Sequence, residues 1–446
     1  MKKILLAGTA IVGLAALATP AHAELKLNLG GYFSGYGVYA DNNEAAGAAN
    51  SLHTFDLRRD TELHVNGEST LDNGLTVGFH TEQSLGNSFQ GNPAGNVAGL
   101  GGTQTDEVYA YFSGGWGRGN LGSEDGAAYL LQVAAPSADS NIDGLRTYIQ
   151  ALNPRDGAFA AGGGVPGLAN NGVLDYDQVS DPTGAPDTDR ITYLTPKFDG
   201  FQAGVSYAPL AGQNGLGSTF NGPRAPMTGS NVPGAYDNIW EGSARWDGEF
   251  QGVGIALGGG YSDASLQANG TAPATVLTAP TVSDGLQQWN GGVNLSWSGF
   301  SLGGSYLRGT TKDQDLYDAD GGGAGAPALV NMNVVQQTYV GGLGWDNGPY
   351  HLGGSYLRQE TTRDASGVNT TALFGATTKT DLVADRWTVG GGYTYGPGMT
   401  FRGALAWGKF DNSTAAPTGA QLGNLTGSAA TNNRFTQATV GTEIDF

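Results

Sequence analysis

The chain contains no cysteine, so neither a disulfide framework nor thiolate chemistry can be built from it. Charged residues are scarce as well, at 14% of 446 positions, against roughly a quarter in ordinary soluble domains. Histidine is rarer still. Beyond residue 23 it occurs only as His53, His64, His80 and His351, and none of these stands in an Asp-His pair or a His-x-Ser arrangement. Hydrolytic chemistry needs a nucleophile or activated water with a positioned base, so these histidines are read as polar wall or rim side chains. No catalytic residue is assigned, and the chain is not expected to be an enzyme. Long apolar runs are missing too: nothing beyond Leu17 approaches the roughly 20 residues that a membrane-spanning helix needs. With a mean hydropathy of −0.24, an α-helical membrane protein is excluded.

What is abundant is glycine, 76 residues, and acid, 40 Asp and Glu against 21 Lys and Arg. The N-terminus combines Lys2 and Lys3, an apolar stretch from Ile4 to about Leu17, and the small-residue ending Ala21-His22-Ala23. That composition predicts a cleaved secretory signal over 1–23 and a mature chain of 24–446. Removing the two lysines with the signal leaves 40 acids against 19 bases, which makes nucleic acid an unsuitable partner. Few charges with many glycines suit strands that present one face to lipid.

Short strand-like stretches alternate between tight and long connections. Sixteen can be placed, at about 25–39, 54–70, 74–84, 103–113, 116–124, 190–196, 200–208, 237–248, 250–262, 286–297, 300–311, 332–346, 349–361, 384–396, 398–411 and 433–446. The tight links carry Gly, Asn or Pro, as in Leu71-Asp72-Asn73-Gly74, Gly114-Gly115, Trp297-Ser298-Gly299 and Gly396-Pro397-Gly398. Short turns at one rim and long loops at the other predict an all-β, sixteen-stranded antiparallel transmembrane barrel rather than a soluble sandwich. The second strand shows the alternation best. Phe55, Leu57, Leu63 and Val65 share one face, and Asp56, Arg58, Asp60, Glu62, His64, Asn66 and Glu68 share the other, polar along its full height as a water-filled lumen requires. Arg59 breaks the apolar face and is expected near a loop end or at a subunit contact.

Aromatic side chains, among them Trp240, Trp246, Trp289, Trp297, Trp345, Trp387 and Trp407, fall near strand ends on the apolar phase, as interfacial girdles do. The segment Leu302-Gly303-Gly304-Ser305-Tyr306-Leu307-Arg308 recurs identically at Leu352–Arg358. Its phase puts Arg308 and Arg358 outside the wall just above the upper girdle, where they are expected to meet lipopolysaccharide phosphates. The acidic clusters Asp313-Gln314-Asp315 and Asp318-Ala319-Asp320-Gly321 lack a following Glu at calcium-loop spacing. No metal or other cofactor is expected. The outlier in the rhythm is the stretch from Asp125 to Asp189, 65 residues without sustained periodicity, which is too long for an ordinary connection and so marks a functional segment.

The hairpin Val108-Tyr109-Ala110-Tyr111-Phe112-Ser113-Gly114-Gly115-Trp116-Gly117-Arg118-Gly119-Asn120-Leu121-Gly122 resembles the strand–turn–strand leading into the third loop of Gram-negative general porins. Arg190 to Tyr207 looks like that family's next hairpin, and Val440, Thr442, Ile444 and Phe446 share a phase ending on a terminal Phe. The resemblance implies a homotrimer and a third loop, 125–189, folded inward as a constriction. It also implies that Phe446 is the signal read by the outer-membrane assembly machinery. The Pro-Glu-Phe-Gly-Gly-Asp segment of enteric porins is absent, so constriction residues are not carried over one by one. If the loop folds inward, its acids Asp139, Asp143 and Asp156, with Asp175 and Asp177 as further candidates, face Arg58, Glu62, Arg190, Arg386 and Arg402 on the lumen phase. The expected function is passive diffusion of small hydrophilic solutes and ions across the outer membrane, with a preference for cations. The alternatives are a channel specific for a sugar, phosphate or organic acid and, more remotely, a barrel hydrolase.

Overall fold

The computed structural model describes residues 26–42, 54–85, 104–137, 188–210, 236–266, 285–317, 328–367, 379–412 and 433–446. They form sixteen strands: β1 Lys26–Asn42, β2 Phe55–Thr70, β3 Thr76–Ser84, β4 Gln104–Gly114, β5 Gly117–Glu124, β6 Thr188–Leu194, β7 Phe201–Leu210, β8 Tyr236–Phe250, β9 Val253–Leu266, β10 Gly285–Trp297, β11 Phe300–Tyr317, β12 Ala328–Asn347, β13 Tyr350–Gly367, β14 Lys379–Gly396, β15 Met399–Asn412 and β16 Asn433–Asp445. One short helix, α1, spans Ala127–Leu130 after β5. Every strand pairs antiparallel with its neighbours in sequence, and β16 pairs with β1 to close the barrel. The expected signal over 1–23 and the acids Asp139, Asp143, Asp156, Asp175 and Asp177 lie outside the described residues.

The turns explain the register. Asp199-Gly200, Gln251-Gly252 and Ser298-Gly299 all adopt positive φ at both positions, the two-residue geometry whose twist matches that of the flanking strands. Closure is completed at the terminus, where the Phe446 and Gly31 backbones exchange hydrogen bonds of 3.0 Å in both directions. The described strands close into one ring, which removes the free edge that a bilayer would not tolerate.

The wall has its apolar face outward. Leu29, Leu57 and Val440 are each more than two-thirds exposed, at 68%, 72% and 69%, a belt that only lipid or another apolar surface can cover. Two aromatic rings of residues flank it. On β10, Trp297 at the turn end and Trp289 higher up both point out. Eight residues separate them, about 27 Å along a strand and roughly 20 Å after barrel tilt, close to the height of an outer-membrane apolar band. Pairs such as Trp289 with Tyr306 at 4.9 Å and Phe300 with Trp345 at 6.4 Å continue the two girdles around the wall.

All sixteen expected strands are present, and the largest boundary differences sit at the loop end of β11 to β14. Beyond the upper girdle both faces of a strand meet water, so alternation fades from the sequence while the hydrogen-bond ladder continues. The barrel is consequently uneven. Strands β3 to β7 have 9, 11, 8, 7 and 10 residues, whereas β11 to β14 have 18, 20, 18 and 18.

Candidate functional site: the narrowed lumen

After β5 the chain turns inward instead of out. Gly126 begins a path that makes one turn of helix in α1 and then runs extended along the inner wall to Ser137. Its root is bonded to three side chains on β7 and β8. The Ser206 hydroxyl accepts from the Ala127 backbone N–H at 3.0 Å, and the Glu241 carboxylate accepts from that of Ala128 at 3.2 Å. The Ser243 hydroxyl in turn donates to the Ala127 carbonyl at 2.5 Å. Farther on, Asn290 donates to the Ala128 carbonyl at 3.4 Å, Arg245 to the Gln132 carbonyl at 3.2 Å and His351 Nε2 to the Ser137 carbonyl at 3.1 Å. The segment thus passes from β7 across to β13.

Glycine makes room for it. Gly258, Gly292, Gly303 and Gly342 point inward on β9, β10, β11 and β12. A Cβ on Gly292 would stand 1.8 Å from the Val133 carbonyl oxygen, and one on Gly342 would stand 1.8 Å from that of Pro136. Contacts that short are impossible, so a side chain at either place lifts the segment off the wall. Beside it a cavity of about 660 Å³, lined by Gln132, Pro136, Arg245, Asp247, Asp346 and His351 among others, opens toward the turn end.

The candidate wall residues separate into distinct roles. Arg190 faces inward but is only 3% exposed; it donates to Glu241 at 3.2 Å and to the Thr188 carbonyl at 3.3 Å. It anchors the root of the inward segment and does not line an open eyelet, because burial commits its charge to Glu241. Arg386 is likewise 1% exposed. Arg58 pairs with Asp56 at 3.2 Å, and Arg402 with Glu443 at 2.6 Å, on the inner face. Arg59 points outward and donates to the Leu85 carbonyl at 3.4 Å. Arg308 and Arg358 are on the outward phase. Arg358 is already engaged by Glu360 at 2.7 Å and Asp385 at 3.2 Å, beside the hydroxyl that Tyr356 donates to Asp385 at 2.5 Å.

The expected arrangement of loop acids facing wall arginines is therefore not what the described residues present. Residues 126–137 carry no charged side chain. The wall on the opposite side is acidic: Asp60, Glu62 and Glu68 on β2, Glu82 on β3 and Glu107 on β4 share the inner face with His64 and His80. His64 Nε2 lies 3.1 Å from Glu62, His80 Nε2 lies 2.8 Å from Glu82 and 3.7 Å from Glu107, and Asn66 Oδ1 stands 2.6 Å from His80 Nδ1. The β2 members lie on the lumen face that their alternation predicts, but the group as a whole exists only through the β2–β3–β4 register, which alternation does not carry.

A closed wall with a lipid-facing exterior, a polar interior and a segment narrowing the bore defines a transmembrane barrel pore. A family profile described as Gram-negative porin matches residues 7–414, and the chain belongs to that family, which places it in the outer membrane. Comparison with curated proteins gives no match. Among solved structures the chain is similar to an anion-selective porin of Comamonas acidovorans, with 16% identity over 95% of this chain and all of that one and a TM-score of 0.50. It is also similar to a loop-deletion form of OmpT, an outer membrane protein of Vibrio cholerae, with 10% identity over 95% and 99% of the two chains and a TM-score of 0.50. At these identities the likeness is one of fold.

Proposed function

We propose that the chain forms a water-filled channel for passive diffusion of small hydrophilic solutes, with a preference for cations and no catalytic step. The observation that carries the preference is the acidic inner face of β2 to β4, where Asp60, Glu62, Glu68, Glu82 and Glu107 look across the lumen toward an uncharged segment, 126–137. A bore with low-dielectric walls focuses such a field and raises the local concentration of counter-ions. The anion selectivity in the name of the Comamonas porin does not carry over at 16% identity, because selectivity rests on individual lining charges and not on the fold. Purified protein in a planar bilayer under a KCl gradient is expected to show a reversal potential of the sign that favours potassium, and liposomes containing it to swell in small sugars. A potential favouring chloride would contradict the charge reading; no conductance at all would contradict the channel.

Assembly and surroundings belong to the same proposal. The low wall of β3 to β7 exposes Phe79, Val108, Phe112, Leu121 and Ile191, an apolar face of the kind that a homotrimer would cover. Arg308 offers a cation to lipopolysaccharide above the girdle, whereas Arg358 reaches phosphate only by exchanging its carboxylate partners. Phe446, clasped to β1 and 62% exposed, presents the terminal ring that the assembly machinery would read after export directed by 1–23.

A further inference from the structure

We propose that His80, Glu82 and Glu107 form a binding site on the lumen wall for a divalent transition-metal ion of the zinc type. The donor atoms of these three residues all lie within 4.8 Å of one another. A tetrahedral ion about 2.1 Å from each ligand holds ligand atoms roughly 3.4 Å apart. The distances from His80 Nε2, 2.8 Å to Glu82 Oε1 and 3.7 Å to Glu107 Oε2, bracket that value.

Orientation singles out this triad. His80 Nδ1 stands 2.6 Å from Asn66 Oδ1, an oxygen that can only accept, so Nδ1 carries the proton. Nε2 then turns its remaining position toward two carboxylates at once. When the ring is neutral, its lone pair and the two carboxylate oxygens point to one place, where a single cation can serve all three. The neighbouring triad of Glu62, His64 and Glu82 converges less closely: at their nearest contacts His64 meets Glu62 through Nε2 at 3.1 Å and Glu82 through Nδ1 at 3.6 Å, so its two nitrogens are divided between the acids.

The ligands are held from behind, as metal ligands require. Asn66 fixes the His80 ring, and the Tyr109 ring lies against it at 5.1 Å. Glu107 uses Oε1 to accept from the Asp125 backbone N–H at 3.2 Å, which leaves Oε2 for the ion and ties the site to the point where the chain leaves β5 for the lumen. One imidazole and two carboxylates without a thiolate suit zinc and its first-row neighbours. Magnesium, which demands an octahedral oxygen shell, suits them less. The His80, Glu82 and Glu107 side chains are 12%, 21% and 15% exposed on the inner face, which gives an ion a route in from the lumen.

The site stands on wall geometry alone and does not depend on solute passage. Full-length folded protein in detergent, titrated with ZnCl₂ against a chromophoric chelator, is expected to bind zinc with a first shell of nitrogen and oxygen in X-ray absorption spectra. His80→Ala and Glu107→Gln should each weaken binding at least tenfold. Asn66→Ala, which touches no metal, should weaken it about tenfold through loss of ring orientation. His80→Gln keeps the side-chain volume if the alanine variant fails to fold, and strand circular dichroism reports folding for each. Unchanged affinity in folded His80 and Glu107 variants would overturn the proposal, as would equal displacement of zinc by the same concentration of magnesium, because either result assigns the ion to scattered surface carboxylates.

Discussion

At the scale of single residues, burial decides what a charge does. Arg190 and Glu241 have side chains only 2% and 1% exposed and meet at 3.2 Å. The same carboxylate also receives the Ala128 N–H and stands 3.3 Å from the Ser206 hydroxyl. Removing one partner of such a pair leaves the other charge uncompensated, at a cost of about 3–5 kcal/mol. Glu241→Ala should therefore loosen the root of the inward segment without dismantling the wall: single-channel records should become noisier and the mean conductance larger, while strand content by circular dichroism persists. A conductance identical to wild type would mean that the pair does not hold the segment in place. Phase along β6 put Arg190 on the lumen side, and that much was legible in the sequence. Its partner was not, because Glu241 lies 51 residues away on β8 and only the closed sheet brings the two together. His80 was missed in the same way. A lone histidine on a strand carries no signal until Asn66, Glu82 and Glu107 are seen around it.

At the scale of elements, the strands announce themselves through period-two alternation and tight glycine turns, since lipid on one side and water on the other impose the pattern on every membrane-crossing residue. The inward segment has no such imposed pattern. Its path is written instead in the wall beneath it, as glycines at inward positions of four successive strands, and among 76 glycines those four do not stand out until the register aligns them. Gly292 and Gly342 are the sharpest tests. Valine at either place collides with the carbonyl of Val133 or Pro136, and overpacking of this kind costs about 1–3 kcal/mol. Relief comes most readily by displacing the segment, which hangs on few hydrogen bonds, and not the ladder, which hangs on many. Gly342→Val is expected to change single-channel conductance and sugar permeation while leaving the thermal stability of the barrel nearly intact. A large fall in barrel melting temperature with unchanged conductance would show that the wall yields first. Val on outward-facing Gly341, whose Cβ meets nothing within 4 Å, is the matching control and should leave conductance as it was.

At the scale of the whole molecule, charge is distributed rather than paired across the bore. On β2 to β4 the only inward arginine is Arg58, which Asp56 already holds, so the acids there form a stretch of negative wall, bordered by Arg118 of β5 over the Tyr111 ring, and the proposed selectivity rests on that stretch. Such a field acts at a range set by salt, about 10 Å at 0.1 M and 3 Å at 1 M. Glu62→Gln with Glu68→Gln removes two of these charges while keeping shape, and neither residue belongs to the His80 triad. Glu68 accepts from the Tyr111 hydroxyl at 3.0 Å and Glu62 lies beside His64; a glutamine side-chain oxygen can replace both contacts, so the barrel should fold normally. At 0.1 M KCl the double variant is expected to have a lower potassium-to-chloride permeability ratio than wild type. At 1 M the two should converge, because an ion passing more than a few ångströms from the wall no longer senses the missing charges. Equal ratios at low salt would place the selectivity elsewhere than the β2–β4 wall. A difference that persists undiminished at 1 M would mean that cations touch these carboxylates directly as they pass, a bore much narrower than diffusion through open water implies.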